Sequence, residues 1–191
     1  MKRDIINANT PLFVLLCLSS LVNVGLGRKV QVLQRAMRAS IAKASAPDIV
    51  GARLISLSVK DIEGRSKYLA IDTAAAPLFI YVFRPTCGWC AKNLANIKAL
   101  DGSLRSSNKG QVIGLSLDDQ GLKTYIQSAQ LPFPVYTDLA SADIARLGLG
   151  GTPQTIVVSH GTVVHNWRGA YSGALLKEID STLGMTLPGL Q

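Results

Sequence analysis

Cysteine is scarce in this 191-residue chain, with three in all. That is too few for a disulfide scaffold. Charge is thin as well. Asp, Glu, Lys and Arg make up 17% of the residues, below the usual quarter, while 48% are hydrophobic. This balance excludes a disordered chain, a collagen and a long coiled coil, and it suits one globular domain with something attached. Internal repeats and low-complexity tracts are missing too. Acidic residues are nearly absent from positions 1–46, where Asp4 stands against seven Lys and Arg. The formal net charge of +8 therefore sits mostly at the N-terminal end, and positions 47–191 are close to neutral. A basic isoelectric point of this origin is no argument for a nucleic-acid partner, and none is expected.

Residues 11–27 contain no charged side chain; Lys2 and Arg3 precede them and Arg28 and Lys29 follow. After a short tail, 1–10, this stretch reads as a single transmembrane anchor near the lower length limit, or as the core of a signal segment. The small-residue cleavage patterns, Ala42-Lys-Ala44 and Ala44-Ser-Ala46, lie far from the apolar run, which favours an uncleaved anchor. Cys17, mid-run, is apolar filler. Leu26, Val30, Leu33, Met37, Ile41 and Ala44 recur at helical spacing, so 28–46 reads as a helical stalk or linker. Five basic residues follow the run within twenty positions and two precede it, which by charge alone would hold the domain in the cytoplasm. The other two cysteines, Cys87 and Cys90, form a C-x-x-C that reads as redox or metal chemistry, and such a domain on an anchor suits an oxidising compartment. On that ground we expect the domain on the extracytoplasmic, periplasmic side of the cell membrane.

From Pro47 onward the pattern is globular. Leu54–Val59 alternates in part and meets the turn Asp61-Ile-Glu-Gly64, a hairpin signal. Leu78–Phe83 is six apolar residues in a row, as in a central strand buried on both faces. Leu94, Ile97, Leu100 and Leu104 form a helical stripe, Gln111–Leu117 a second strand, and Leu122–Ala129 a helix. Val135-Tyr136 is a short strand and Ser141–Leu147 a short helix ended by Gly148. Gln154–Ser159 and Thr162–Trp167 flank the two-residue turn His160-Gly161. A last helix has Ser172 as its cap and Leu175, Leu176, Ile179 and Leu183 as its apolar face, ending at Gly184. The order predicts an α/β domain, a mixed β-sheet flanked by α-helices.

Cys87-Gly-Trp-Cys90 follows the central strand and opens a helix. Positions i and i+3 share one helix face, near the separation a disulfide requires. Free N–H groups and the positive end of the helix dipole favour a thiolate at Cys87, which is therefore the expected nucleophile. Cys90, one turn deeper, is the thiol that resolves a mixed disulfide. Gly88 allows a partner chain close approach. Trp89 either offers that chain an apolar surface or packs over the helix end.

Val82-Phe-Arg-Pro-Thr-Cys-Gly-Trp-Cys-Ala-Lys-Asn93, with Gly151-Thr-Pro-Gln-Thr155 placing Pro153 63 residues beyond Cys90, resembles the thioredoxin superfamily. The long gap is similar to that of its membrane-anchored TlpA/ResA-like branch, over about residues 47–184. The resemblance implies a thioredoxin-like fold for 47–191, preceded by one N-terminal membrane helix. It implies a thiol–disulfide oxidoreductase with no bound cofactor and no metal. Its partners would be cysteine-containing protein substrates and an upstream thiol or disulfide partner. It also implies that Pro153 is a cis-proline beside the cysteines and that Thr152 pairs its backbone with a substrate chain. Two positions depart from the pattern: Thr86 stands where Trp commonly precedes the first cysteine, and Asn93 where some reductases of the branch carry a glutamate. Tyr81 fills the place of the buried acid of thioredoxin itself.

Two other readings compete. A peroxiredoxin-like antioxidant enzyme wants Thr or Ser three residues before its reactive cysteine, and Arg84 is there. A zinc-binding module would draw on Cys87, Cys90, His160 and His165, but the gap between the pairs far exceeds that of a finger, and His160 suits a left-handed turn position.

Overall fold

The six apolar residues of the central run form a strand with every side chain buried. Side chains alternate along a strand, so the run divides between two cores. Leu78, Ile80 and Val82 enter one; Phe79, Tyr81 and Phe83 enter the other, the aromatic one. The computed structural model describes residues 29–31 and 48–190. Residues 29–31 are helical. The apolar run 11–27, nearly all of the stalk 28–46, and Gln191 lie outside the described residues, and no described helix is long and apolar enough to cross a membrane. The chain from Ala46 onward forms a compact unit of its own.

That unit runs β1 (Ser56–Asp61), β2 (Ser66–Ala70), β3 (Leu78–Phe83), α1 (Gly88–Lys92), α2 (Leu94–Ser106), β4 (Gln111–Ser116), α3 (Leu122–Ala129), β5 (Val135–Thr137), α4 (Ser141–Arg146), β6 (Gln154–Ser159), β7 (Thr162–Arg168) and α5 (Gly173–Leu183). The strands make one mixed sheet in the order β2-β1-β5-β4-β3-β6-β7. β3, β4 and β5 are parallel; β1 and β6 run against them. Helices cover both faces. α4 and its flank (Ile144, Leu147, Leu149) pack on the aliphatic face, while Ile97, Leu100 and Leu104 of α2, Leu122 of α3 and Ile179 of α5 pack on the aromatic one. The expected layers, the β1–β2 hairpin and the β6–β7 hairpin are all present.

Two local expectations change. The helix that the cysteines open and the helix that carries the apolar stripe are separate, α1 and α2, since the chain breaks at Asn93, where the backbone N–H is shared between the Trp89 and Cys90 carbonyls. Ser172 stands at the N-cap of α5, yet its hydroxyl makes no capping bond; it turns back to the Ala170 carbonyl at 3.5 Å. His160 does take the left-handed conformation, φ 49°, at the hairpin turn. Gly161 beside it has φ 72°, and a β-carbon there would stand 2.8 Å from Asp72 Cβ, so only glycine fits without displacing the neighbouring loop.

Topology assembles the site. β3 ends and β6 begins at the same edge of the sheet because the two are antiparallel, with Val82 opposite Gln154. The residues after Phe83 and those before Gln154 must therefore meet, although 63 positions separate Cys90 from Pro153. The end of β4 is at that edge too, and Arg84 reaches the Leu117 carbonyl there with its guanidinium at 3.4 Å.

Candidate active site

Cys87 is itself the N-cap of α1, in extended conformation (φ −82°, ψ 108°). Its sulfur occupies the place a Ser or Asp oxygen usually takes. The Cys90 amide donates to Cys87 Sγ at 3.1 Å, and the Cys87 thiol points its hydrogen at the Thr152 carbonyl, 3.4 Å away. Cys87 is partly exposed, whereas Cys90 is fully buried in the aromatic core. Both are free thiols. Burial first, and then the adjacent Cys87 sulfur, push the Cys90 thiol up to about 12. The two cysteines thus differ as the motif's position implied: an accessible sulfur with a backbone donor aimed at it, and a deep one held protonated.

The Thr152–Pro153 peptide is cis, as the resemblance implied, and the buried Pro153 passes its carbonyl to the Gly169 amide at 2.8 Å. Trp89 does not pack over the helix end. It is 58% exposed, with the Lys92 ammonium 4.9 Å from its ring centre. Thr152 is half-buried beside Cys87. His160 and His165 are not drawn to the cysteines: His160 holds Ser159 at the turn and His165 stacks on Trp167. Among the described residues no three His, Cys, Asp or Glu side chains gather as a metal site would need.

Asn93 is the departure with the most structure around it. It is fully buried, and its Oδ1 accepts from the Tyr171 amide at 2.9 Å and from Asn96 Nδ2 at 3.0 Å. Asn96 in turn accepts from the Gly189 amide at 2.8 Å, which ties the C-terminal segment to the helix behind the cysteines. Tyr171 closes the network, its hydroxyl sharing a 2.6 Å hydrogen bond with Thr155. Sequence reading missed Asn96 and Tyr171. Asn93 and Tyr171 are 78 positions apart, and no local pattern marks a long-range polar contact. Asn93→Leu leaves the buried Tyr171 amide without an acceptor and should lower stability by roughly 2–3 kcal/mol. Urea unfolding checks this; a loss under about 1 kcal/mol would show that the network is slack.

Tyr81 stands beneath Cys90, its hydroxyl donating to the Cys90 carbonyl at 3.5 Å. Its ionisation is driven far above the ordinary tyrosine range, by burial first and then by the Cys90 sulfur. Tyr81 therefore cannot act as an acid or base near neutral pH.

No protein-family model matches the chain, and no curated protein sequence matches it. Solved structures do. The thioredoxin domain of a thiol-disulfide oxidoreductase from Bacteroides vulgatus is 17% identical at a TM-score of 0.55, covering 72% of this chain and 99% of that one. A thiol:disulfide interchange protein from a Bacteroides species is also 17% identical, TM-score 0.55, over 71% of this chain and 90% of that one. StoA from Bacillus subtilis is 18% identical, TM-score 0.52, over 69% and 98% respectively. At such identities the likeness is one of architecture alone: the domain that begins at Ala46 has the thioredoxin-like fold.

Proposed function

We propose that this protein is a thiol–disulfide oxidoreductase that exchanges a Cys87–Cys90 disulfide or dithiol with cysteines of partner proteins through a mixed disulfide. The observation that carries this reading is the asymmetry of the pair. One sulfur is accessible and receives a backbone hydrogen bond; the other is buried, protonated and one helical turn away. The neighbours of similar fold that carry thiol:disulfide names support the same chemistry.

In the reducing direction, the Cys87 thiolate attacks a partner disulfide. One partner sulfur leaves with the bonding pair, and Cys87 becomes joined to the other. Cys90 then attacks Cys87 Sγ, the second partner sulfur leaves, and the Cys90 proton passes to solvent or to that departing thiolate. Two electrons have moved from the dithiol to the partner, and Cys87–Cys90 is a disulfide. The Cys90 amide stabilises negative charge on Cys87 both as attacker and, in the reverse direction, as leaving group. Exposed Trp89 and the backbone of Thr152 flank Cys87 as the contact surface for the partner chain, and Pro153 seats that surface against the pair. The exchange needs no bound cofactor. Equilibration with reduced and oxidised glutathione tests the reading: mass spectrometry should find a Cys87–Cys90 cross-link and a defined midpoint, and a pair that stays reduced at every ratio would refute it.

Residues 11–27 are proposed as a membrane anchor that holds the domain on the extracytoplasmic side, with 28–46 as the stalk. The uncharged run beside a cysteine-pair domain supports this. Protease added to cells with an opened outer layer should digest the domain. Protection until the inner membrane is lysed would place the domain inside, as the flanking charges alone suggest.

A further inference from the structure

The two stretches of chain that build the site carry no negative side chain. Between Asp72 and Asp101, and again between Asp143 and Glu178, the sequence holds no Asp or Glu. Carboxylates at the borders of these stretches are engaged: Asp101 is buried against Arg105, Asp143 pairs with Arg146, and Glu178 accepts from the Trp167 indole. The loop after β4 reaches the same edge of the sheet and does carry Asp118 and Asp119. Asp118 accepts the Gln120 amide at 3.0 Å, and Asp119 lines a groove with Lys60 and Asp138, themselves an ion pair at 2.7 Å.

Two cations stand beside the accessible sulfur. Arg84 is one tight turn before Cys87, whose amide donates to the Arg84 carbonyl at 3.1 Å. Its guanidinium donates to a neutral group, the Leu117 carbonyl. Lys92 is one helical turn beyond Trp89 and holds its ammonium over the indole. Both side chains are exposed, and neither forms an ion pair among the described residues. Trp89 is the bulkiest apolar side chain exposed among those residues, and it stands between the two cysteines with the ammonium against its ring. The ground around Cys87 is also open. A β-carbon at Gly88, Gly150 or Gly151 would meet nothing within 4 Å, so a chain can lie across the sulfur from either side.

We propose that Arg84 and Lys92 select partner proteins whose reacting cysteine is bordered by acidic side chains. This rests on the oxidoreductase reading above and names its substrate class. A carboxylate near the partner cysteine meets the Lys92 ammonium or the Arg84 guanidinium, while an apolar neighbour lies against Trp89. A basic border meets two like charges and no carboxylate from either stretch that frames Cys87. Exposed charges of this kind act mainly on encounter and on the choice between partners, and they are screened by salt. The chemistry of the pair is unchanged by them; they decide which cysteines arrive at Cys87.

The test uses the reduced full chain carrying Cys17→Ser in an uncharged detergent. Its substrates are peptides of one frame whose cysteine is activated as a 2-pyridyl disulfide and flanked by Glu, by Gln or by Lys. The Cys87 thiolate bonds to the peptide sulfur, and the pyridine thiolate leaves with the bonding pair and takes a proton from solvent, so absorbance reads the first step alone. Each rate is divided by that of 2-mercaptoethanol with the same peptide. The Glu peptide should react about tenfold faster than the Lys peptide at low salt, with the Gln peptide between them, and the ratio should approach one at about 0.5 M salt. Lys92→Gln and Arg84→Gln should each lower the ratio and together bring it below about twofold. Lys109→Gln, an exposed position just before β4 and so at the opposite end of the sheet, should leave it as it is. Each single variant is read by itself, so the outcome stands even if the double variant folds poorly. Equal rates for the three peptides, or a faster Lys peptide, would overturn the proposal. So would a Glu preference that survives both substitutions, which would assign the steering to the basic N-terminal segment. If the protein releases the chromophore from none of the peptides while 2-mercaptoethanol releases it from all, the oxidoreductase reading itself falls.

Discussion

Cys90→Ser is expected to turn the protein into a trap for its partners. The attacking sulfur is intact in this variant, and so is its hydrogen-bond donor, because the Cys90 amide is a backbone group that the substitution leaves in place. Attack on a partner disulfide therefore proceeds, and no second thiol is there to release the product. Steady-state exchange should fall by about a thousandfold or more while covalent complexes accumulate. Cys87→Ser should lose as much activity and trap almost nothing. Its remaining sulfur is fully buried and held protonated up to about 12, so it neither reaches a partner nor ionises near neutral pH. Both variants should fold. Serine is a preferred N-cap residue and can take over the cap of α1 from Cys87, and the pair is present as free thiols, so no cross-link holds the core. Non-reducing gels of the two variants at equal expression decide the matter, and mass spectrometry of the trapped bands names the partners. Equal trapping by both, or trapping by Cys87→Ser alone, would falsify the assignment of roles.

The second large effect is alkaline destabilisation of the dithiol form. The Cys90 thiol is raised from an ordinary value of 9.0 to about 12 by burial. The direction of the pH effect follows from proton counts. Below the unfolded value both states carry the proton and stability is at its plateau. Above it the unfolded chain gives up its proton while the folded chain keeps it, so stability falls as pH rises, until the folded thiol also ionises near 12. The slope is about 1.4 kcal/mol per pH unit, and the whole loss amounts to no more than about 4 kcal/mol. That is a large part of the 5–15 kcal/mol that ordinarily holds a domain together. Tyr81 and Tyr171, also raised by burial, add losses of the same sign only above about pH 10. Urea unfolding of the reduced protein between about pH 8 and about pH 10 should therefore show the thiol alone. The decline should be absent from Cys90→Ser and from the oxidised protein, neither of which has a thiol there to titrate. Parallel curves for reduced protein and Cys90→Ser would place Cys90 near its ordinary range and remove the basis for its depth-dependent role.

The asymmetry between the cysteines was readable in the linear chain because it depends on local facts. A six-residue apolar run with aromatic and β-branched members reads as a strand buried on both faces, and a cysteine four positions after it stands at a helix start at the sheet edge. One helical turn further in is necessarily deeper. The hairpins were readable for the same kind of reason, since turn residues at Asp61–Gly64 and His160-Gly161 separate short alternating stretches. Ser172 shows the limit of such local rules. It is in the capping position, yet a competing carbonyl two residues back takes its hydroxyl.

From the order of residues alone came the strands and helices, the candidate cysteine pair and which of the two stands at the helix start, because periodicity, turn chemistry and helix-end electrostatics act over a few neighbouring positions. Only the tertiary structure decided what surrounds that pair. The antiparallel pairing of β3 with β6 brings Thr152 to Cys87. The fold brings Tyr171 to Asn93 and Gly189 to Asn96 from 78 and 93 positions away. α3 lays Tyr125 against Phe83. These contacts depend on strand order and helix packing, which the sum of many weak apolar contacts selects and no single short segment encodes. The chemistry of the motif is therefore local, while the groups that set its protonation are supplied by the fold.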